Sequence, residues 1–183
     1  MSLLQTANVT FSLVTILFQI GIVLGVLYLL FFRKVQNSIT AFVSKHGLQL
    51  AFLVALGSML GSLFYSNVIG FTPCDLCWMQ RICMYPLVLI LGIALWKKNY
   101  AHVLDYALPL AVIGFLISLY HNYMYYFNQG LNAYCSLGGT SVSCVKRYVF
   151  EFGYITIPLM ALTSFLLIII LFIFYKLKHG RAD

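Results

Sequence analysis

Charge is what this chain has least of. Only 8% of its 183 residues are Asp, Glu, Lys or Arg, whereas 62% are hydrophobic. A soluble domain of this length needs far more charge to cover its surface, so a water-exposed globule is excluded and lipid is the solvent. The first ten residues carry no Lys or Arg, the apolar run after them exceeds 20 residues, and Arg33-Lys34 come behind it. A cleavable signal has the reverse charge order and a shorter apolar stretch, so this segment reads as a retained helix. The connections between apolar runs leave no length for a second folded domain.

What remains is a series of apolar segments. Spanning hydrocarbon takes about 20 apolar residues, and five stretches qualify: 9–32, 48–69, 78–96, 104–127 and 154–175. Short connections predict an up-and-down bundle. The expected fold is an all-α integral membrane protein, a four-helix bundle plus one additional N-terminal transmembrane helix. The expected division is 1–46 for the added helix and its loop, 47–176 for the bundle, and 177–183 for a tail.

The net charge of +7 suggests nucleic acid until its distribution is considered. With five spans, Arg33, Lys34, Lys45, Lys97, Lys98, Lys176, Lys178 and Arg181 all fall on one side. Only Lys146 and Arg147 fall on the other, and Arg81 lies within a helix. The positive-inside rule makes the richer side cytoplasmic. The N-terminus and the cysteine-bearing loops are then outside, the C-terminus inside, and no nucleic acid is expected.

Several features read first as packing. Gly57, Ser58, Gly61 and Ser62 repeat small residues four apart, which lets a neighbouring helix approach. Pro86, Pro109 and Pro158 fall within spans three, four and five, where each can bend its helix. The run Tyr120 to Phe127 fits an interfacial aromatic belt, but His121 within it is an ionisable group inside a span, a costly placement often tied to function. Asn8-Val9-Thr10 fits a glycosylation triplet, to which no role is assigned. The segment 145–152 mixes charge with aromatics and could lie flat on the membrane surface.

The chemistry sits at Pro73-Cys74-Asp75-Leu76-Cys77-Trp78-Met79-Gln80-Arg81. Proline suits the threshold of a helix, and the helix N-terminus favours thiolate at both sulfurs. Arg81 follows Cys77 by four residues and shares its helix face. A guanidinium keeps its charge, and placing it near lipid costs about 2–3 kcal/mol, so a purely structural role is the weaker reading. It can steady a Cys77 thiolate or bond an oxygen of a bound acceptor. Cys83 points elsewhere and reads as an inert buried thiol.

Cys135 and Cys144 form a second pair in a glycine-bearing loop. A disulfide there is either a staple worth about 2–3 kcal/mol or an exchange-active bond, as exposed disulfides tend to be. The four thiols could also hold zinc, although the second pair is widely spaced and Arg81 opposes a cation. No resident metal is expected; a non-enzymatic metal-binding membrane protein is the alternative.

With Met84-Tyr85-Pro86 following, the motif resembles the signature of the DsbB/BdbC disulfide-bond formation proteins over about residues 48–175. The resemblance implies a bacterial plasma-membrane thiol-disulfide oxidoreductase. Such a protein reoxidises a soluble thioredoxin-fold, DsbA-like partner and passes electrons to the membrane quinone pool, ubiquinone or menaquinone. It implies Cys77 facing the quinone, Arg81 binding and polarising it, and His121 near it. It further implies that Cys74 exchanges with the loop pair, Cys135 forms the mixed disulfide with the partner, and Cys144 attacks Cys74. The added first helix departs from the family pattern, and the loop spacing is similar to the BdbC branch. A vitamin K epoxide reductase type also joins thiols to quinones, but there the loop pair precedes Cys-x-x-Cys, and here it follows.

Overall fold

The computed structural model describes residues 3–31, 38–98, 100, 102–127, 144 and 148–179. Five helices account for most of them: α1 (Leu3–Phe31), α2 (Ser38–Leu63), α3 (Asp75–Lys97), α4 (Val103–Phe127) and α5 (Ile157–His179). All five are long and apolar enough to cross a membrane. A π-helical turn, Phe64–Val68, extends α2, and an isolated β-bridge joins Glu151 to Ile155.

Helix α2 packs on α3, α3 on α4, α4 on α5 and α5 back on α2, while α1 lies outside this ring against α5. The bundle-plus-one architecture expected from hydropathy is therefore present. Its core sets large against small: Phe165, Ile168 and Phe172 of α5 meet Ala51 and Ala55 of α2 and Ala107 and Ala111 of α4. A Cβ on Gly114 would collide with the Phe165 ring, so the α4–α5 approach requires glycine there. Close approach matters because lipid is as apolar as leucine, and packing rather than water exclusion joins these helices.

Polar side chains add directional contacts. Asn122 Nδ2 donates to the carbonyls of Ser118 (2.8 Å) and Pro158 (2.9 Å), tying α4 to the start of α5. Pro158 is the second residue of α5, in the first turn, where helices need no amide donor; the bend considered for span five has no cause there. Pro86 and Pro109 do lie inside α3 and α4.

The segment after residue 147 has a defined backbone. Glu151 and Ile155 exchange backbone hydrogen bonds of 3.0 and 2.9 Å. Phe152 (φ 51°) and Gly153 (φ 78°) adopt left-handed backbone between them. Two successive positive φ values exclude a helix there, so Glu151–Ile155 is a tight turn.

Lys45, Lys97, Lys98 and Lys176 stand at the start of α2, the end of α3 and the end of α5, which is one end of the bundle. Cys74 and Cys77 open α3 at the other. Cys135, Lys146 and Arg147 lie outside the described residues.

Candidate redox site at the mouth of helix α3

Cys74 is the N-cap of α3, with extended backbone (φ −78°, ψ 173°), and its carbonyl accepts the Trp78 amide at 3.0 Å. Pro73 delivers the chain to that position in a conformation suited to a helix start. One turn on, Cys77 accepts a hydrogen bond from the Cys74 thiol across 3.2 Å. Cys144 arrives from the segment before α5, buried against Cys74 and Leu76, with its thiol hydrogen-bonded to Cys74. Residues 67 and 70 positions apart from it in sequence thus share one sulfur cluster with Cys144.

His121 of α4, fully buried, completes the cluster. Its Nδ1 lies 3.3 Å from Gln80 Nε2. Its Nε2 lies 3.2 Å from the Cys144 carbonyl and 3.9 Å from Cys74 Sγ. An amide nitrogen only donates and a carbonyl only accepts, which fixes a neutral ring with its proton on Nε2. His121 therefore holds the Cys144 backbone and, through it, the Cys144 sulfur at Cys74. The sequence singled out His121; Gln80 was missed, although it follows Cys77 by three residues and so shares its face. Gln80→Glu favours the opposite tautomer and removes the donor from the Cys144 carbonyl. Exchange between Cys144 and Cys74 should slow about tenfold, the value of one hydrogen bond. Stopped-flow thiol exchange checks this, with imidazole nitrogen shifts reporting the tautomer; an unchanged rate removes His121 from this role.

The helix N-terminus does not favour thiolate at both sulfurs. The hydrogen bond with Cys144 lowers the Cys74 pKa, but the hydrogen bond to Cys77 and burial raise it, and the net is pushed up to about 12. Cys74 keeps its proton at neutral pH and donates it to Cys77, because a buried pair of sulfurs resists a second charge. Cys83 is packed in the apolar core with Met84 and Leu87, away from this chemistry.

Beside the sulfur cluster opens a cavity of about 300 Å³, mainly apolar and lined by residues of all five helices, with Cys74, Cys77, His121 and Cys144 in its wall. Arg81 borders it. Its Nε donates to Ser62 Oγ (2.9 Å) and its Nη2 to the Ser62 carbonyl (3.0 Å), at the junction of α2 with the π turn. The guanidinium also lies 5.2 Å from the Trp78 ring centroid, a cation–π contact. The Tyr85 hydroxyl in the cavity wall is buried with no hydrogen-bond partner among the described residues. Nothing in the sequence marked Ser62 as the anchor of Arg81. It is one of four small residues in a row that reads as packing.

The structure thus brings together Cys74, Cys77, Cys144, Arg81 and His121, around one cavity. Ligand atoms of Cys74, Cys77 and His121 lie within 4.8 Å of one another, a spacing that also suits a soft cation. Adjacent thiols at a helix mouth, a further thiol brought to them from another segment, and a membrane-length bundle define a membrane-embedded thiol-disulfide redox protein.

Comparison with known proteins gives the family. The profile described as "Disulfide bond formation protein DsbB" matches residues 44–175, more than half of the chain. The "Probable disulfide formation protein C 2" of Bacillus anthracis is 42% identical over 139 residues, covering 76% of this chain and 96% of its own. "Disulfide bond formation protein C" of Bacillus subtilis (strain 168) is 47% identical over 122 residues, 66% of this chain and 85% of its own. A "Probable disulfide formation protein" of Coxiella burnetii is 38% identical over 147 residues, 79% of this chain and 99% of its own. No solved structure gives a significant match. The chain belongs to the DsbB family of disulfide bond formation proteins, and is a multi-pass membrane disulfide oxidoreductase.

Proposed function

We propose that this protein reoxidises an extracytoplasmic, thioredoxin-fold DsbA-like protein and delivers the electrons to membrane quinone, ubiquinone or menaquinone. The observation that carries this reading is a mainly apolar cavity lined by Arg81 and by Cys77, the cysteine whose partner Cys74 is packed against Cys144 in the same wall. Sulfur exchange and a lipid-soluble acceptor then meet at one dithiol.

The cavity fits a quinone ring. It is mainly apolar, as small-molecule sites are, and it offers the Arg81 guanidinium and the unpartnered Tyr85 hydroxyl as donors to ring oxygens. When bound, a quinone supplies a two-electron, two-proton sink for closure of the Cys74–Cys77 dithiol to a disulfide, and leaves as quinol.

The chain's own part is sulfur transfer. A partner thiolate attacks Cys135 of a Cys135–Cys144 disulfide, and Cys144 leaves as thiolate. The second partner thiol resolves that mixed disulfide, releasing oxidised partner and the Cys135 thiol. Cys144 attacks Cys74 of the Cys74–Cys77 disulfide, and Cys77 leaves as thiolate beside Arg81. Cys135 then attacks Cys144, restoring the loop disulfide and returning Cys74 as thiol. Each step is thiolate attack on a disulfide, governed by geometry and by the leaving thiol. His121 and Gln80 position the Cys144 step.

Lysines gathered at the bundle end opposite Cys74 support an extracytoplasmic site, an outside N-terminus and a cytoplasmic C-terminus in a bacterial plasma membrane. Residues 47–176 form the redox unit in this reading, with 1–46 added to it and 177–183 as tail.

The test is anaerobic mixing of purified protein, a reduced thioredoxin-fold partner and quinone, following quinone loss. Turnover that needs Cys74, Cys77, Cys135 and Cys144 is the expected result. Stoichiometric zinc on Cys74, Cys77 and His121 with no quinone loss would instead establish the metal-binding alternative.

A further inference from the structure

Helix α1 lies outside the region shared with the family, which begins at residue 44. It is nevertheless no free-standing anchor. Thr10, Phe11, Val14, Thr15 and Phe18 line the cavity beside Arg81. Their spacing of one, three and four residues puts them on one helical face. The opposite face, with Ile20 51% and Val23 57% exposed, is left to lipid.

Two contacts fix that face in place. Tyr65 donates its hydroxyl to Asn8 Oδ1 at 3.0 Å, both residues buried. A buried amide is costly in an apolar medium unless paired, so this bond sets the depth and rotation of α1. One turn on, the Phe11 ring fills the notch at Gly61, where an added Cβ would lie 3.3 Å from Phe11 Cε1. The same ring packs against Tyr65 (5.4 Å) and Phe64 (6.0 Å) of the π turn. Ser62, two residues before Phe64, is the residue that holds Arg81. The α1 contact and the arginine anchor therefore share one short stretch of backbone.

Gly57 completes the arrangement. Nothing lies within 4 Å of where its Cβ would be, although it faces the cavity one turn from Gly61. The small-residue row of α2 thus has two uses: Gly61 seats α1 and Gly57 leaves space beside it.

We propose that α1 is a wall of the acceptor cavity and a determinant of which lipid-soluble acceptor enters it. It closes a cleft along α2 and α5 that would otherwise open to the bilayer. Phe11 and Val14 set the width available to the acceptor's substituents and tail. This rests on the quinone reading of the same cavity.

The experiment uses the full chain in lipid nanodiscs. A photoreactive ubiquinone analogue, competed by unlabelled ubiquinone, should label the 8–18 segment of the unaltered protein. Phe11→Ala and Val14→Trp should each change the ratio of kcat/KM for short-tailed against long-tailed quinones at least fivefold. Exchange between Cys144 and Cys74 should remain within twofold, and Ile20→Ala, on the lipid face, should match the unaltered protein. Competed label confined to α2 and α5, or an unchanged tail-length ratio in both variants, would overturn the role of α1. The labelling needs no variant, so misfolding of either substitution does not rescue the idea. An unaltered protein that neither binds nor reduces quinone would instead remove the parent reading.

Discussion

Cys144→Ser abolishes turnover, reducing partner-dependent quinone loss to the uncatalysed background. Cys144 is the loop sulfur buried at Cys74, and no other described thiol outside the α3 pair reaches that position; Cys83 is sealed in the core. Groups that act as a unit lose nearly everything when one is removed. The order of attack is read with a partner that carries one thiol. In the proposed order it attacks Cys135 in the otherwise unaltered chain, and the freed Cys144 then attacks Cys74. Peptide mapping should then find the partner on Cys135 together with a Cys74–Cys144 disulfide, because a single-thiol partner cannot resolve the adduct. In Cys144→Ser the second disulfide is absent. A partner adduct found only on Cys74 would reverse the assignment of the loop cysteines.

Arg81→Ala lowers kcat/KM for the lipid-soluble acceptor by about a hundredfold and leaves Cys144–Cys74 exchange within about threefold. The magnitude is that of one charge-assisted hydrogen bond to an acceptor oxygen in a dry site, about 1.5–3 kcal/mol. Its two hydrogen bonds to Ser62 fix the guanidinium where that interaction is made, so little reorganisation is needed on binding. Lysine keeps the charge but lacks the planar fork that spans the Ser62 hydroxyl and carbonyl. Arg81→Lys should therefore recover only part of the loss. Separate measurements of quinone titration and of single-turnover thiol exchange check both statements. Equal losses in the two would make Arg81 a structural member of α3.

Much of the architecture was legible because its causes are local. Five apolar stretches of membrane length yield five helices whether or not their neighbours are known. Cys74 before the first turn of α3, Cys77 one turn later and Arg81 one turn beyond follow from helical geometry alone. His121 was visible as an ionisable group in an apolar span. Gln80, Ser62, Tyr85 and Asn8 were not, since each gains its role from a partner on another helix. The thiolate expected at Cys74 failed for a related reason: helix polarity is local, whereas burial beside two further sulfurs is not. The turn at Glu151–Ile155 was not legible either, because no hydropathy pattern records the backbone signs at Phe152 and Gly153.

The sequence by itself determined that this is a helical membrane protein with a reactive dithiol at one helix mouth, through hydropathy, segment length and residue spacing. Tertiary structure alone decided that Ser62 anchors Arg81, that Gln80 orients His121, and that α1 borders the cavity beside Arg81. The physical reason lies in the solvent. Core-facing Leu87 and Leu91 of α3 and lipid-facing Ile82 and Leu89 are chemically alike. In a bilayer both faces of a helix are apolar, so the pattern of hydrophobicity does not say which way the helix turns. Rotation and depth are set instead by glycine notches and a few buried polar bonds between distant residues, such as Tyr65 to Asn8 and Arg81 to Ser62.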